Sequence, residues 1–131
     1  MGGLFHQGQF VLHSGMASRF LIDCAALTDE DLAVLAAEAA SLIEAFGSVE
    51  GIPDGGLRFA RALEPYVSKG MPLIVDDVLT TGASMEKQRG ERDCKGVVIW
   101  ARGIWPTWVT PLNVWWPYVR QSLQLRCWRN R

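Results

Sequence analysis

No apolar run in this sequence approaches the roughly 20 residues that a membrane-crossing helix needs, so a bilayer is not an expected partner. The start, Met1-Gly2-Gly3-Leu4-Phe5-His6, lacks the basic region and apolar stretch of a secretory leader. Cysteine is scarce. Cys24, Cys94 and Cys127 are odd in number and widely spaced, which argues against both a disulfide scaffold and a zinc site. These absences predict a cytoplasmic protein. Internal repeats and low-complexity linkers are also missing. Finally, there is no acid after Asp93. Residues 1–88 hold five Lys/Arg and 12 Asp/Glu, whereas residues 89–131 hold eight and two. An acidic body with a basic end predicts internal ion pairing before subunit contact or an anionic ligand. The net charge of −1, without a nucleic-acid fold signature, argues against a nucleic-acid partner.

What is present suits one domain with one core. The chain has 131 residues, 49% of them apolar and 21% charged. Residues 1–8 are Gly-rich and read as loose. Gln9–His13 and Arg19–Asp23 read as short strands around the turn Ser14-Gly15-Met16-Ala17-Ser18. Thr28 is a good N-cap, Asp29, Glu30 and Asp31 favour a positive helix end, and apolar residues recur at helical spacing from Leu32 to Phe46. The pattern predicts a helix over 29–46 with Gly47 as its stop. A strand over 48–52 follows, then Pro53-Asp54-Gly55-Gly56 and a helix over 57–67. Arg58 and Arg61 share a face of that helix, read as solvated.

The organising stretch is Leu73-Ile74-Val75-Asp76-Asp77-Val78-Leu79-Thr80-Thr81-Gly82-Ala83-Ser84. Leu73–Val75 read as the end of a buried strand. Two adjacent acids follow, then a hydroxyl-rich turn with one glycine, then a helix from Ala83 to about Gln88. A helix start behind such a turn makes a cradle for a phosphate monoester. The acids cannot hold phosphate directly; they suit hydroxyl groups, a magnesium shell or positive charge developing on a sugar. Gly96–Ala101 reads as the next strand, with Arg102 at its C-terminal end, where ligands sit in open α/β sheets.

This stretch resembles the phosphoribosyl-pyrophosphate (PRPP) motif of the type I phosphoribosyltransferases. The resemblance implies that Asp76 and Asp77 contact the ribose hydroxyls and support positive charge on the ring. It implies that Thr80, Thr81, Gly82, Ala83 and Ser84 hold the 5′-phosphate. The loop Pro53, Asp54, Gly55 and Gly56 matches the family's pyrophosphate loop. The segment Phe10–Asp23 is similar to the N-terminal hood of the orotate branch, which makes His13, Ser14 and Gly15 candidates around the base; His13 stands where that branch has lysine. Arg102 stands where the branch contacts the base's carboxylate, and an ordinary strand-end arginine is the competing reading. The sequence departs from the family between helix 57–67 and the strand from Met71. The further strands and the long polar loop that cover PRPP in the family have no counterpart there.

The expected fold is α/β: a small, mainly parallel sheet flanked by helices, with an N-terminal β-hairpin hood. Residues 9–27 would form the hood, 28–103 the core and 104–131 a Trp-rich tail whose rings pack on the sheet or on a second subunit, with a homodimer expected. The resemblance implies transfer of a 5-phosphoribosyl group from PRPP to a nitrogenous base, an orotate-like pyrimidine first, with release of pyrophosphate and Mg²⁺ as cofactor. A module that binds PRPP or a nucleoside 5′-monophosphate without efficient catalysis is the alternative.

Overall fold

The computed structural model describes residues 3, 5–11 and 17–115, with the backbone alone at 5–11, 17–22 and 115. Strands β1 (Phe5–Val11) and β2 (Ala17–Ile22) form an antiparallel hairpin. A 3₁₀ turn over Cys24–Ala26 leads to helix α1 (Asp29–Leu42). Then come β3 (Phe46–Gly51), α2 (Gly55–Leu63), a 3₁₀ turn over Glu64–Tyr66, β4 (Met71–Leu79), α3 (Ala83–Arg89), β5 (Lys95–Arg102) and β6 (Val109–Trp115). The last four strands make one sheet in the order β3-β4-β5-β6, every pair parallel. The architecture is the α/β sheet with an N-terminal hairpin that the sequence predicts. No helix among the described residues is long and apolar enough to cross a membrane.

The sheet is buried on both faces, which explains the near-continuous apolar runs of β4 and β5. Alternation along β4 sends Leu73 and Val75 to one face and Ile74 to the other. The first face packs on α1 and α2 through Leu32, Ala36, Ala39, Phe59 and Leu63. The second is covered by Met85 of α3 and by Trp105, with Trp108 packed alongside. Packing is thus the observed role of these two tryptophans. Trp116 and Trp128 lie outside the described residues, and Trp115 is described by its backbone only.

Several expected boundaries move. The first strand begins at Phe5, inside the stretch read as loose, because pairing with β2 overrides the local glycine content. Its register shifts between Gln7 and Phe10, where Gly8 lies, as a bulge does. Thr28 caps α1 as expected: its hydroxyl accepts from the Asp31 N–H, and the Asp31 carboxylate accepts from the Thr28 N–H. The helix, however, stops at Leu42 and not near Phe46. Ile43 is already extended, and Phe46 is a buried residue of β3. Gly47 is no helix stop. A Cβ there would come within 2.6 Å of the Gly70 carbonyl oxygen, so what it permits is close backbone approach. Helix α2 begins at Gly55 and gives way after Leu63 to a 3₁₀ turn that contains Pro65.

Two corrections bear on function. Strand β4 does not end at Val75 but carries both acids and runs on to Leu79. The segment read as a tail contributes β6 to the sheet. Its prolines and tryptophans hid the strand pattern; Pro111 is tolerated because β6 is an edge strand. The passage from α2 to β4 is short, as expected. Ser68 N–H donates to the Phe46 carbonyl (2.9 Å), Gly70 takes a positive φ of 131°, and β4 starts at Met71, with no strand between.

Expected internal charge pairing is visible across the sequence halves. Arg92 grips Glu50 with two nitrogens at 2.8 and 2.9 Å, and Lys95 meets Glu44 at 3.0 Å. Arg58 does not face solvent freely: it bonds Asp29 at 2.9 Å and the Leu27 carbonyl at 3.0 Å.

Candidate active site

The C-terminal edge of the parallel sheet gathers most of the residues singled out from the sequence. Asp76 and Asp77 are both half-buried near the end of β4. The Asp77 N–H donates to Asp76 Oδ1 (2.8 Å), and the Val78 N–H donates to Asp77 Oδ1 (2.7 Å). Burial pushes the Asp76 carboxyl up to about 8, and the hydrogen bond and negative charge of Asp77 push in the same direction. Two carboxylates held this closely resist joint ionisation.

The glycine loop lies directly against this pair. The Ile52 N–H donates to the Val75 carbonyl (2.9 Å), which fastens the loop to β4 just before the acids. The Gly56 N–H then donates to the Ile52 carbonyl (2.8 Å), and the Pro53–Asp54 peptide is cis. A side chain at Gly55 would run into the Asp77 carboxylate. One at Gly56 would come within 2.6 Å of the Val75 carbonyl oxygen. The two glycines therefore let the first turn of α2 rest on the acid-bearing end of β4. Pro53, Asp54 and Gly55 are exposed along this loop, and Gly56 is buried.

The turn after β4 has the expected form. Gly82 adopts φ 83°, ψ 1° and opens α3. A Cβ at Gly82 would touch nothing closer than 3.9 Å, so the positive φ, not lack of space, calls for glycine there. The Ala83 N–H donates to Thr81 Oγ1 (3.3 Å). Thr80 is half-buried, and Thr81, Ala83 and Ser84 are exposed. Arg102, half-buried, is the last residue of β5. Because Leu79 pairs with Ala101, Arg102 stands level with Thr80 on the neighbouring strand. His13, Ser14 and Gly15 lie outside the described residues.

Cys24 is a neighbour of the site that the sequence did not single out. It is buried, and its thiol is pushed up to about 12, first by burial and then by the charges of Asp77, Asp23 and Asp76. A thiol so disfavoured as thiolate is a poor nucleophile. Its significance is positional: the turn that follows the hairpin sits beside the acid pair. Nothing local in the sequence signals this, because the contact spans about 50 residues of chain.

At this edge the acid pair is the candidate for holding a metal among the described residues. No group of three or more His, Cys, Asp or Glu suited to an ion occurs among the described residues. Two part-buried carboxylates fit a magnesium ion that takes its remaining ligands from substrate oxygens and water, the usual habit of Mg²⁺.

The sequence matches no protein-family model and no curated protein sequence. Solved structures do match. Orotate phosphoribosyltransferase from Aeropyrum pernix superposes with a TM-score of 0.65 at 23% identity, over 86% of this chain and 89% of that one. UMP synthase from Leishmania donovani gives 0.66 at 17% identity, over 96% of this chain but only 35% of that one. Orotate phosphoribosyltransferase from Francisella tularensis gives 0.57 at 18% identity, over 85% and 80%. The chain has the type I phosphoribosyltransferase-like fold of the orotate phosphoribosyltransferases.

Proposed function

We propose that this protein binds PRPP and transfers its 5-phosphoribosyl group to a nitrogen of an orotate-like pyrimidine, releasing pyrophosphate. The observation that carries this reading is convergence. The acid pair, the glycine loop and the Thr80–Ser84 turn, separate in sequence, meet at one sheet edge, with Gly55 seated against Asp77. Each part suits a different portion of one ligand. The Thr80–Ser84 turn anchors the 5′-phosphate through backbone N–H groups and hydroxyls. Asp76 and Asp77 accept from the ribose hydroxyls. Pro53, Asp54, Gly55 and Gly56 line the pyrophosphate. Arg102 suits the planar carboxylate of the base, and a guanidinium fork does so better than an ammonium.

Transfer proceeds as the bond from the sugar carbon to pyrophosphate loosens and the ring gains positive charge. The two carboxylates stabilise that charge electrostatically. Binding of the distant 5′-phosphate holds the carbon in line for attack. Mg²⁺, held by the acid pair and substrate oxygens, would neutralise charge on the leaving group. The acceptor nitrogen of an orotate-like base is acidic enough that no general base is assigned.

A second reading has its own support. With no strand and no long loop between α2 and β4, nothing from that passage covers the edge. Without a covering loop from that passage, binding or hydrolysis by water is favoured over transfer. A ³¹P NMR time course with Mg²⁺ and PRPP, with and without orotate, separates the cases. Transfer requires orotate-dependent pyrophosphate release that Asp76→Asn plus Asp77→Asn abolishes. Shifted PRPP resonances without turnover would favour the binding module, and unshifted resonances would sink the PRPP reading altogether.

A further inference from the structure

Helix α2 rests the glycine loop on the acid pair, but no side-chain cap ties down its opening turn. Asp54, the residue before the helix, makes no capping hydrogen bond, whereas Thr28 caps α1. The fit of that turn nevertheless leaves no slack. Gly55 has no room even for a Cβ against the Asp77 carboxylate, and Gly56 has none against the Val75 carbonyl. A small shift of the helix would part the loop from the acids or drive it into them.

Arg58, three residues after Gly55, fastens this turn to another part of the chain. Its Nη2 donates to the Leu27 carbonyl (3.0 Å) and to Asp29 Oδ1 (2.9 Å). Two acceptors match the two N–H bonds of Nη2, so that nitrogen is committed to protein. The same stretch of chain reaches the other partner of the site. Cys24 is buried and lies close enough to the acid pair for the charges of Asp77 and Asp76 to act on its thiol. Residues 24–29 therefore link the acid-bearing end of β4 to the opening of α2, with Leu27 packed on the core.

We propose that Arg58 is a positioning residue for the pyrophosphate portion of the ligand: by holding residues 27–29 it fixes the opening turn of α2, and with it Gly55, against Asp77. This assignment rests on the PRPP reading above. Stability alone gives little reason for the ion pair. Its side chains are 43% and 97% exposed, and pairs in that setting contribute little to folding. Position matters more at a site that must hold a reacting carbon in line.

The test is calorimetric titration of the full-length protein with PRPP and, separately, with ribose 5-phosphate, both with Mg²⁺. Ribose 5-phosphate carries the 5′-phosphate and the ribose hydroxyls but no pyrophosphate. Wild type is compared with Arg58→Gln, Arg58→Lys, Asp29→Ala and Asp76→Asn plus Asp77→Asn, and melting temperatures check that each is folded. Arg58→Gln should weaken PRPP binding roughly fivefold or more, with ribose 5-phosphate within about twofold of wild type and little change in melting temperature. Arg58→Lys should recover part of the loss, since an ammonium still donates to both acceptors. Asp29→Ala, which frees the guanidinium from its carboxylate, should weaken PRPP binding in the same direction. Equal or tighter binding there would make Arg58 a charge contact to the ligand and overturn the positioning role. Equal loss of both ligands in Arg58→Gln, or PRPP affinity within about twofold of wild type beside an acid variant that has lost binding, would also overturn it and leave the PRPP reading standing. A wild type that does not bind PRPP, or binds it equally well without the acids, would overturn both.

Discussion

The two ends of this sheet use charge in opposite ways. At the N-terminal end, charges are paired and rings are covered. Lys95 meets Glu44, and Arg89 bonds Glu86 and stacks over Trp108 at 4.9 Å from the ring centre. Glu44, Lys95, Arg89 and Trp108 line a cleft of about 420 Å³, and Glu44 and Lys95 pair within it. At the C-terminal end, Asp76 and Asp77 sit side by side, and the nearby thiol of Cys24 is held neutral by burial and their negative charge. The same α/β frame thus carries one edge whose charges favour the fold and one whose charges oppose it. An arrangement that opposes folding persists where a ligand repays it, and the edge with the like charges is the edge with the glycine loop and the helix-opening turn.

The contrast is broken most severely at Gly55. Its place against Asp77 leaves no room for a Cβ, so Gly55→Ala must move either the loop or the carboxylate. PRPP affinity should fall at least 100-fold in a titration while the protein remains folded, since the loop is exposed and the core clusters are untouched. Unchanged affinity would show that loop and acid pair do not share a ligand.

Asp76→Asn sharpens the contrast in the other direction, costing function but favouring the fold. The folded Asp76 carboxyl, near 8, lies above its ordinary 3.8, so ionisation opposes folding. That penalty is absent below about pH 4, grows as pH rises, and is complete above about 8. The amide removes it, and thermal melts of the ligand-free protein at pH 8.5 should rise by about 3–6 °C, with little change at pH 4. A variant that melts lower at both pH values would mean that the acid pair is structural. The same shift predicts that binding of PRPP with Mg²⁺ near pH 7 releases close to one proton, because a bound cation and ribose hydroxyls favour the carboxylate. Calorimetry in buffers of different ionisation enthalpy reads that number, and it should vanish above pH 9.

Local chemistry made much of this edge legible in advance. The acids, the Thr80–Ser84 turn and the Thr28 cap are recognisable because each does its work within a few residues of itself. What stayed hidden depends on partners distant in sequence. Gly47 looked like a helix stop, yet it is required by the backbone of Gly70. Gly55 was read as part of a pyrophosphate loop, but its seat against Asp77 is visible only in the fold. Strand β6 was masked by Pro111 and its tryptophans, which an edge position tolerates. Cys24 gave no signal, because its neighbours are supplied by β4.

The smallest effect is expected at the Arg92–Glu50 pair, whose charges satisfy each other as those of the acid pair do not. Arg92 holds the Glu50 carboxyl down to about 2 through its hydrogen bonds, with Gln88 adding a further one. The folded value lies below the ordinary 4.5, so the pair favours folding at neutral pH, and that contribution fades as pH falls from about 4.5 towards 2. Both side chains are part-exposed, 45% for Arg92 and 27% for Glu50, so solvent weakens the attraction. Arg92→Ala should lower the melting temperature slightly at pH 7 and by less at pH 3. PRPP affinity should stay within twofold of wild type, because Arg92 is engaged by Glu50 and belongs to none of the three segments assigned to the ligand. Should Arg92→Ala instead weaken PRPP binding, the Arg92–Glu50 pair would belong to the ligand site and not to the fold alone.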